Sequence, residues 1–233
     1  MQWTQRLSVM INFITVCTDH YPMVYAQKIH KQFQRLTKLS IHHYCITDRP
    51  NELPEFITPI EPYKKSNGWW NKLNLFSPDI PKGHILYLDL DVVILNNFDE
   101  EIEFMQKREE LMCCVSDAIK WMNVKFSSSL MFFKSGVHSK IFENFVQNES
   151  LINNREGGDQ VWTGPQLSSI CYMDEHYPNL KKSFRFHLAK RNSKKYEVPM
   201  IINDKIKLID FGGKLKPHQF DKLDYIKKNW HLV

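Results

Sequence analysis

Two aspartates separated by a single residue have the clearest chemical potential in the sequence. Asp89 and Asp91 follow the apolar run 85–88, and apolar residues resume at 92–94. In extended backbone, residues i and i+2 point to the same face about 6.6 Å apart, so both carboxylates can reach one divalent cation or its water shell. Carboxylate oxygens favour Mg²⁺ or Mn²⁺ over zinc. The spacing therefore predicts a Mn²⁺ or Mg²⁺ site.

The apolar residues around the pair argue against a purely structural role. A carboxylate that interrupts a buried strand costs several kcal/mol unless a cation or hydrogen-bond donors meet it. The carboxyl end of a central strand is also where open α/β sheets bind ligands. We therefore expect a ligand site at the end of the strand that precedes Asp89.

The elements that must position this site alternate between strand and helix. Strand patterns cover residues 8–16, 39–47, 84–88, 111–115, 130–133 and 205–209. Helical patterns cover residues 25–36, 69–76, 140–147 and 160–169. Residues 51–67 contain three prolines and are predicted to form an irregular surface segment. The alternation predicts an α/β fold, with a mostly parallel central sheet flanked by helices in a single domain.

Length, hydropathy and cysteine content limit the class of protein. A chain of 233 residues that is 42% hydrophobic predicts one globular domain and excludes a disordered tail. No apolar run reaches the ~18 residues that span a bilayer, and residues 1–10 lack the apolar centre of a secretory signal. The five cysteines have no C-x-x-C spacing and are predicted to be buried free thiols in a reducing compartment. We therefore expect a cytoplasmic protein.

The charge is unevenly distributed along the chain. Residues 181–233 contain 14 Lys and Arg against 5 Asp and Glu, a net charge of +9, whereas residues 1–180 carry −4. A basic C-terminal quarter indicates contact with phosphates, an anionic acceptor or the surface of an anionic membrane. A solvated lysine-rich face accounts for these residues equally well.

Six segments resemble, in order, the motifs of one enzyme family. Residues 86–91 (LYLDLD) resemble the D-x-D segment of metal-dependent GT-A-fold glycosyltransferases, in particular the group that contains glycogenin and the lipopolysaccharide galactosyltransferases. The other similar segments are 18–21 (TDHY, a nucleotide-contacting turn), 69–73 (WWNKL, a basic helix), 127–133 (SSSLMFF, the N-S-G-hydrophobic segment), 158–160 (GDQ, the Asp-Gln element) and 211–218 (FGGKLKPH, the closing H-x-x-G-x-x-K-P motif). The similarity extends from about residue 9 to residue 218. The D-x-D segment alone is a weak signal, whereas the ordered set is a strong one.

The resemblance implies which residues bind the metal. Asp89 and Asp91 match the aspartates of the D-x-D segment, which bind Mn²⁺ or Mg²⁺. Asp210 stands where the family has a metal-binding histidine, and we expect it to be the third ligand because both cations accept carboxylate oxygen. In the alternative register of the closing motif, Gly212 takes that position.

The resemblance also implies contacts with a nucleotide-sugar donor. The expected donor-binding residues are Thr18, Tyr21 and Asp48 at the base and ribose, and Lys72, Gly213 and Lys216 at the diphosphate. Gly213 lets the backbone approach because it has no Cβ, and the two lysines supply positive charge. Alternatively, both lysines are solvated residues of the surface.

Asp159 and Gln160 are the expected catalytic residues. The resemblance implies that Asp159 binds sugar hydroxyls or assists the acceptor, and that Gln160 lies near the anomeric carbon. The alternative for Asp159 is a helix N-cap.

Residues 1–95 would form the nucleotide-binding half, residues 96–218 the sugar and acceptor half, and residues 219–233 a basic C-terminal segment.

The sequence thus predicts a metal-dependent glycosyltransferase that moves a sugar from a nucleotide-diphosphate donor, a UDP-sugar, to a glycan, lipid-linked or protein acceptor. Glycogenin-like relatives imply retention of the anomeric configuration. Peripheral contact with an anionic membrane through the basic C-terminal region is a further expectation.

Two alternatives come from other classes of protein. A haloacid-dehalogenase-type phosphatase also uses Asp-x-Asp with Mg²⁺ at a strand end, but Val93 occupies the position that such enzymes usually fill with Thr. A basic nucleic-acid-binding protein would explain the charge of residues 181–233. However, aromatic residues are not interleaved with that charge as stacking platforms would require, so we expect no nucleic-acid partner.

Overall fold

Strands and helices alternate along the chain in the computed structural model, which describes residues 10–18, 21–109, 111–116, 126–148, 158–192 and 195–231. The strands are β1 Ile11–Val16, β2 Ile41–Ile46, β3 Thr58–Ile60, β4 His84–Leu88, β5 Val92–Ile94, β6 Met112–Val115, β7 Ser127–Lys134, β8 Ile170–Tyr172, β9 Lys181–Ser183, β10 Lys190–Asn192, β11 Lys195–Glu197 and β12 Leu208–Asp210. The α-helices are α1 Val24–Leu36, α2 Asp99–Gln106, α3 Ser139–Gln147, α4 Gly158–Thr163, α5 Met173–His176 and α6 Asp224–Ile226. Shorter 3₁₀-helices lie at Pro50–Glu52, Gly68–Phe76, Gly164–Gln166 and Pro217–Gln219, and π-helices at Phe184–Leu188 and Lys227–His231.

A seven-stranded sheet in the order β3-β2-β1-β4-β7-β6-β8 forms the centre of the fold. Strands β3, β2, β1 and β4 are mutually parallel, as are β6 and β8. Strand β7 is antiparallel to both of its neighbours, β4 and β6. The prediction of a mostly parallel α/β sheet flanked by helices is confirmed.

Strand β4 is buried on both faces because each face packs against its own apolar cluster. Leu86 and Leu88 enter the cluster that contains the buried face of α1, whereas Ile85 and Tyr87 enter the cluster that contains α3 and the Gly68–Phe76 helix. Burying each such large apolar side chain contributes roughly 1.5–3 kcal/mol. This packing on both faces fixes the position of the carboxyl end of β4, which Asp89 directly follows.

A second sheet, in the order β5-β12-β9, lies directly after the end of β4. Strand β12 pairs antiparallel with β5, which sets Asp210 opposite Val92, and parallel with β9, which sets Leu208 opposite Lys181. The chain passes from the central sheet to this second sheet at residues 89–91. The register therefore brings the carboxyl ends of β12 and β9 beside the aspartate pair.

Three predicted elements differ from the structure. The prediction that residues 51–67 are irregular is wrong at Thr58–Ile60, which forms β3; Pro59 is tolerated there because β3 is an edge strand. The helix predicted over 160–169 ends at Thr163, and a 3₁₀ turn follows because Pro165 restricts Gly164. The strand predicted over 205–209 begins only at Leu208.

Two predictions from composition can be compared with the described residues. All five cysteines are buried and free, as predicted. Among the helices of the described ranges, none has the length and apolar character needed to cross a membrane.

Candidate active site

Asp89 and Asp91 lie on the turn between β4 and β5. The Asp89 N–H donates to the Ser129 carbonyl at 3.0 Å, and the Val92 N–H donates to the Asp89 carbonyl at 3.1 Å. Asp91 is only 3% exposed, and Asp89 is partly buried. The backbone thus holds two carboxylates at the junction of the two sheets.

Lys72 joins Asp89 to Asp159. Its Nζ lies 2.7 Å from Asp89 Oδ1 and 3.9 Å from Asp159 Oδ1, and the Tyr87 hydroxyl also donates to Asp89 Oδ1. Burial alone would lower the pKa of Lys72, but the carboxylates of Asp159 and Asp89 raise it well above its usual value. Lys72 is therefore a permanent cation between two predicted site residues.

Asp91 is bound by Lys216 and Tyr21. Lys216 Nζ lies 2.5 Å from Asp91 Oδ2 and 2.6 Å from the Tyr21 oxygen, and the Tyr21 hydroxyl donates to Asp91 Oδ2 at 3.0 Å. Burial raises the pKa of Asp91, and the nearby charge of Asp89 raises it further, although Lys216 opposes both effects. The two aspartates therefore place like charges close together at a largely buried position.

Asp210 lies in a different set of contacts. Lys181 Nζ donates to Asp210 Oδ2 at 2.9 Å, to Ser127 Oγ at 2.7 Å and to Ser129 Oγ at 2.5 Å. Ser129 Oγ donates to Asp210 Oδ2 at 3.1 Å, and the Gly212 N–H donates to Asp210 Oδ1 at 2.8 Å. Burial alone would raise the pKa of Asp210, but Lys181 and these hydrogen bonds lower it.

Asp159 and Gln160 lie at the start of α4. Asp159 is buried and lies within the first turn of α4. It is therefore a helical residue and not the N-cap. Gln160 Nε2 donates to Ser128 Oγ at 3.2 Å, the hydroxyl that also accepts from Lys72 at 3.2 Å. Burial raises the pKa of Asp159, and Lys72 opposes that effect only in part.

A cavity of about 460 Å³ opens beside these groups. Its lining includes Asp89, Gln160, Lys181, Asp210 and Gly213. Gly213 has a φ of +82°, a conformation that residues with a Cβ rarely adopt. The structure therefore brings the D-x-D turn, the start of α4 and the closing motif around one space.

Two predicted donor residues have partners elsewhere on the same sheet edge. Thr18 follows β1, is buried, and accepts a hydrogen bond from Asn71 Nδ2 at 3.0 Å. Asp48 follows β2 and forms ion pairs with Lys65 at 2.7 Å and with Arg49 at 3.7 Å. Neither Thr18 nor Asp48 lines the cavity. Residues 19–20 of the predicted nucleotide-contacting turn lie outside the described residues.

The two tryptophans of the 69–73 segment have different surroundings. Trp70 is buried in the core, whereas Trp69 is 57% exposed. A Cβ placed on Gly158 would lie 3.2 Å from the Trp69 ring, so the ring packs directly against the first residue of α4. Trp69 is thus an exposed aromatic surface beside Asp159.

Sequence reasoning missed Lys181. The side chain of this residue is 4% exposed and holds the Asp210 carboxylate. Lys181 belongs to no motif, and it stands among the 14 Lys and Arg of residues 181–233. No signal in the sequence distinguishes it from its solvated neighbours.

The chemistry of Asp89 and Asp91 fits a divalent cation. Both supply hard carboxylate oxygens, and their mutual repulsion would be relieved by a cation. The predicted third ligand, Asp210, is paired with Lys181, as Asp89 is with Lys72 and Asp91 with Lys216. Within the described ranges, no three His, Cys, Asp or Glu side chains are grouped as a metal site. The protein therefore presents two suitable carboxylates.

Comparisons with known proteins support the fold assignment. No family model and no curated protein matches the chain. Among solved structures, the galactosyltransferase LgtC in complex with donor and acceptor sugar analogues is similar, with a TM-score of 0.64 and 13% identity over 93% of each chain. The glycosyltransferase GlyE of Streptococcus pneumoniae TIGR4 has a TM-score of 0.60 and 12% identity over 96% of this chain and 62% of its own. At this level of identity the likeness shows the fold alone: the chain has the GT-A fold.

Proposed function

We propose that this protein is a glycosyltransferase that moves a sugar from a nucleotide-diphosphate donor, a UDP-sugar, to an acceptor hydroxyl. The observation that carries the proposal is the cluster of Asp89, Lys72 and Asp159 at the carboxyl end of β4, in which Asp89 lines the cavity and Lys72 lies between the two carboxylates. The GT-A fold of two known glycosyltransferases supports it. Open α/β sheets bind ligands at this end of their strands.

The balance of charge in the site supports a metal-dependent reaction. Asp89, Asp91 and Asp159 are paired with Lys72 and Lys216, so around the D-x-D turn three carboxylates meet two ammonium groups. A diphosphate placed directly against these carboxylates would be repelled, even though Lys182 and Arg185 also line the cavity. We propose that Asp89 and Asp91 bind Mn²⁺ or Mg²⁺, which when bound supplies Lewis-acid stabilisation of the departing diphosphate.

Residues of the chain itself position the donor phosphates. The Lys216 side chain is 23% exposed and makes its ion pair at the edge of the site, so it can turn from Asp91 to a phosphate oxygen. Gly213 lines the cavity without a Cβ, so a phosphate can approach its backbone. The Lys216 ammonium also donates to the Tyr21 hydroxyl oxygen, at 2.6 Å.

The start of α4 is the proposed sugar site. Asp159 faces Lys72, and Gln160 lines the cavity. We propose that Asp159 binds sugar hydroxyls or assists the acceptor, and that Gln160 lies near the anomeric carbon. Retention of the anomeric configuration belongs to this proposal and can be determined by NMR of the product.

The outer wall of the cavity is the proposed acceptor side. Lys182 and Arg185 line it and, among the described residues, have no carboxylate partner. The Arg185 guanidinium lies 4.9 Å from the centre of the exposed Phe186 ring. Such a wall suits a glycan, lipid-linked or protein acceptor, and the basic residues of 181–233 suit peripheral contact with an anionic membrane from the cytoplasm.

A binding screen tests the proposal. Thermal unfolding is measured with a panel of nucleotide-sugars in the presence of Mn²⁺, and at about 100 times its dissociation constant a donor adds ~2.7 kcal/mol. We expect one UDP-sugar to raise the melting temperature of the wild type and not that of Asp91→Asn. Asp79→Asn, at an exposed aspartate, is the matched control. Stabilisation by no nucleotide-sugar, together with robust hydrolysis of p-nitrophenyl phosphate, would favour the phosphatase instead.

A further inference from the structure

Lys181 has no N–H left for a ligand. An ammonium group has three donors, and those of Lys181 are directed to Ser127 Oγ, Ser129 Oγ and Asp210 Oδ2 at 2.7, 2.5 and 2.9 Å. Its side chain is 4% exposed. Although Lys181 borders the cavity, the hydrogen bonds of its ammonium group are therefore all made within the protein.

Both oxygens of Asp210 are also in use. Oδ1 accepts from the Gly212 N–H, and Oδ2 accepts from Lys181 and from Ser129. Turning Oδ2 of Asp210 toward a cation at Asp89 would leave the buried Lys181 ammonium without its counter-ion. Removing one partner of a buried ion pair is strongly unfavourable, because the remaining charge is uncompensated.

The lysines at the other two aspartates are held less firmly. The Lys216 side chain is 23% exposed and that of Lys72 is 15% exposed, against 4% for Lys181. Lys216 can reach solvent, so its ion pair with Asp91 can open without stranding a buried charge. The Lys216–Asp91 ion pair can therefore open more easily than the Lys181–Asp210 pair, although the Asp210 side chain lines the cavity and is itself more exposed than that of Asp91, 11% against 4%.

We propose that Lys181 is a positioning residue, an internal cation that keeps Asp210 out of metal coordination. The divalent cation of the proposed function, on which this inference rests, then has two protein carboxylates, those of Asp89 and Asp91. The Lys181–Asp210 ion pair beside the cavity is then the same with and without a divalent cation.

Mn²⁺ binding without nucleotide tests this inference separately from sugar transfer. Affinity is measured by electron paramagnetic resonance of free Mn²⁺ in titrations of the folded protein. We expect Asp89→Asn to weaken Mn²⁺ by about 10-fold or more, and Asp210→Asn to weaken it less, through repulsion by the stranded Lys181 charge and not through loss of a ligand. Lys181→Met frees Asp210 and should strengthen Mn²⁺ binding by about 10-fold or more, and Lys181→Met combined with Asp210→Asn should return it to the wild-type value.

Lys182→Met is the matched control, since Lys182 is the adjacent lysine on the same cavity. A loss of about 10-fold that is seen both in Asp210→Asn and in Lys181→Met combined with Asp210→Asn, where no stranded ammonium repels Mn²⁺, would show that Asp210 is a metal ligand and would overturn the inference. A folded Lys181→Met protein with no gain in affinity would overturn it as well. If Lys181→Met does not fold, Lys181→Gln, which also removes the charge, takes its place in both titrations. The Mn²⁺ titration contains no nucleotide-sugar donor. Its outcome can therefore be distinguished from that of the sugar-transfer assay.

Discussion

Asp210 and Asp159 are both buried beside one cavity, yet their carboxylates respond in opposite ways. The pKa of Asp210 is lowered because Lys181 and two further hydrogen-bond donors, Ser129 Oγ and the Gly212 N–H, outweigh burial. The pKa of Asp159 is raised because burial outweighs the more distant Lys72. The Asp210 region is thus satisfied internally, whereas the region of Asp89, Asp91 and Asp159 retains negative charge that a ligand can use.

The largest expected effect separates these regions by activity. Asp89→Asn and Asp91→Asn should each lower turnover of the nucleotide-sugar by roughly 10³-fold, because each removes a carboxylate from the region that lacks internal compensation. The measurement is release of nucleoside diphosphate at saturating donor. Asp79→Asn should keep wild-type turnover. A comparable loss in that control would show that the losses in Asp89→Asn and Asp91→Asn do not depend on the site.

Lys72→Met should lower kcat/KM by roughly 10²-fold, since Lys72 is the cation shared by Asp89 and Asp159. Steady-state kinetics over a range of donor concentrations measures the effect. Lys82→Met, at an exposed lysine, is the control. Unchanged kcat/KM in Lys72→Met would show that the lysine serves only to hold the fold.

Stability should separate the two carboxylates in the reverse order. Asp210→Asn leaves the buried Lys181 without its counter-ion and should lower the free energy of unfolding by about 3 kcal/mol. Asp159→Asn should change it by less than about 1 kcal/mol, because burial already disfavours that charge. Urea unfolding of both variants at neutral pH makes the comparison. Equal losses would show that Asp159 is as fully compensated as Asp210.

The pH dependence of stability gives the smallest effect, with opposite signs for the two residues. The lowered pKa of Asp210 stabilises the fold above the ordinary carboxyl pKa of about 3.9, and this contribution is lost as pH falls through the lowered value. The raised pKa of Asp159 favours the fold below about pH 3.9, and this contribution is lost as pH rises through the raised value. The deficit of Asp210→Asn should therefore shrink in acid. Unfolding free energies measured from acid to neutral pH would contradict this if the deficit were constant.

The sequence predicted the parts of the site that local spacing encodes. Asp89 and Asp91 follow an apolar strand, and Lys72 and Lys216 lie in segments similar to family motifs; the structure brings all four beside the end of β4. The alternating pattern also predicted the central α/β sheet, which the structure confirms. Short-range patterns suffice where a strand is buried on both faces, because its apolar run is continuous.

These short-range patterns could not predict contacts between strands that are distant in the sequence. Lys181 meets Asp210 because β9 pairs with β12, a register that neither three-residue strand reveals. Edge strand β3 was hidden by Pro59, a residue that disfavours interior strands only. Likewise, the partners of Thr18 and Asp48 come from residues 65 and 71, in the segment between β3 and β4 and in the following 3₁₀-helix.

We propose that Asp91 and its neighbours serve transfer of a sugar from a nucleotide-diphosphate donor. The most direct test of this claim is release of nucleoside diphosphate from a panel of nucleotide-sugars with Mn²⁺, for the wild type and Asp91→Asn side by side. We predict that the wild type releases the diphosphate from at least one UDP-sugar, and that Asp91→Asn and a metal-chelated sample do not. Release that is equal in all three samples, or absent across the whole panel for a folded wild type, would contradict the claim.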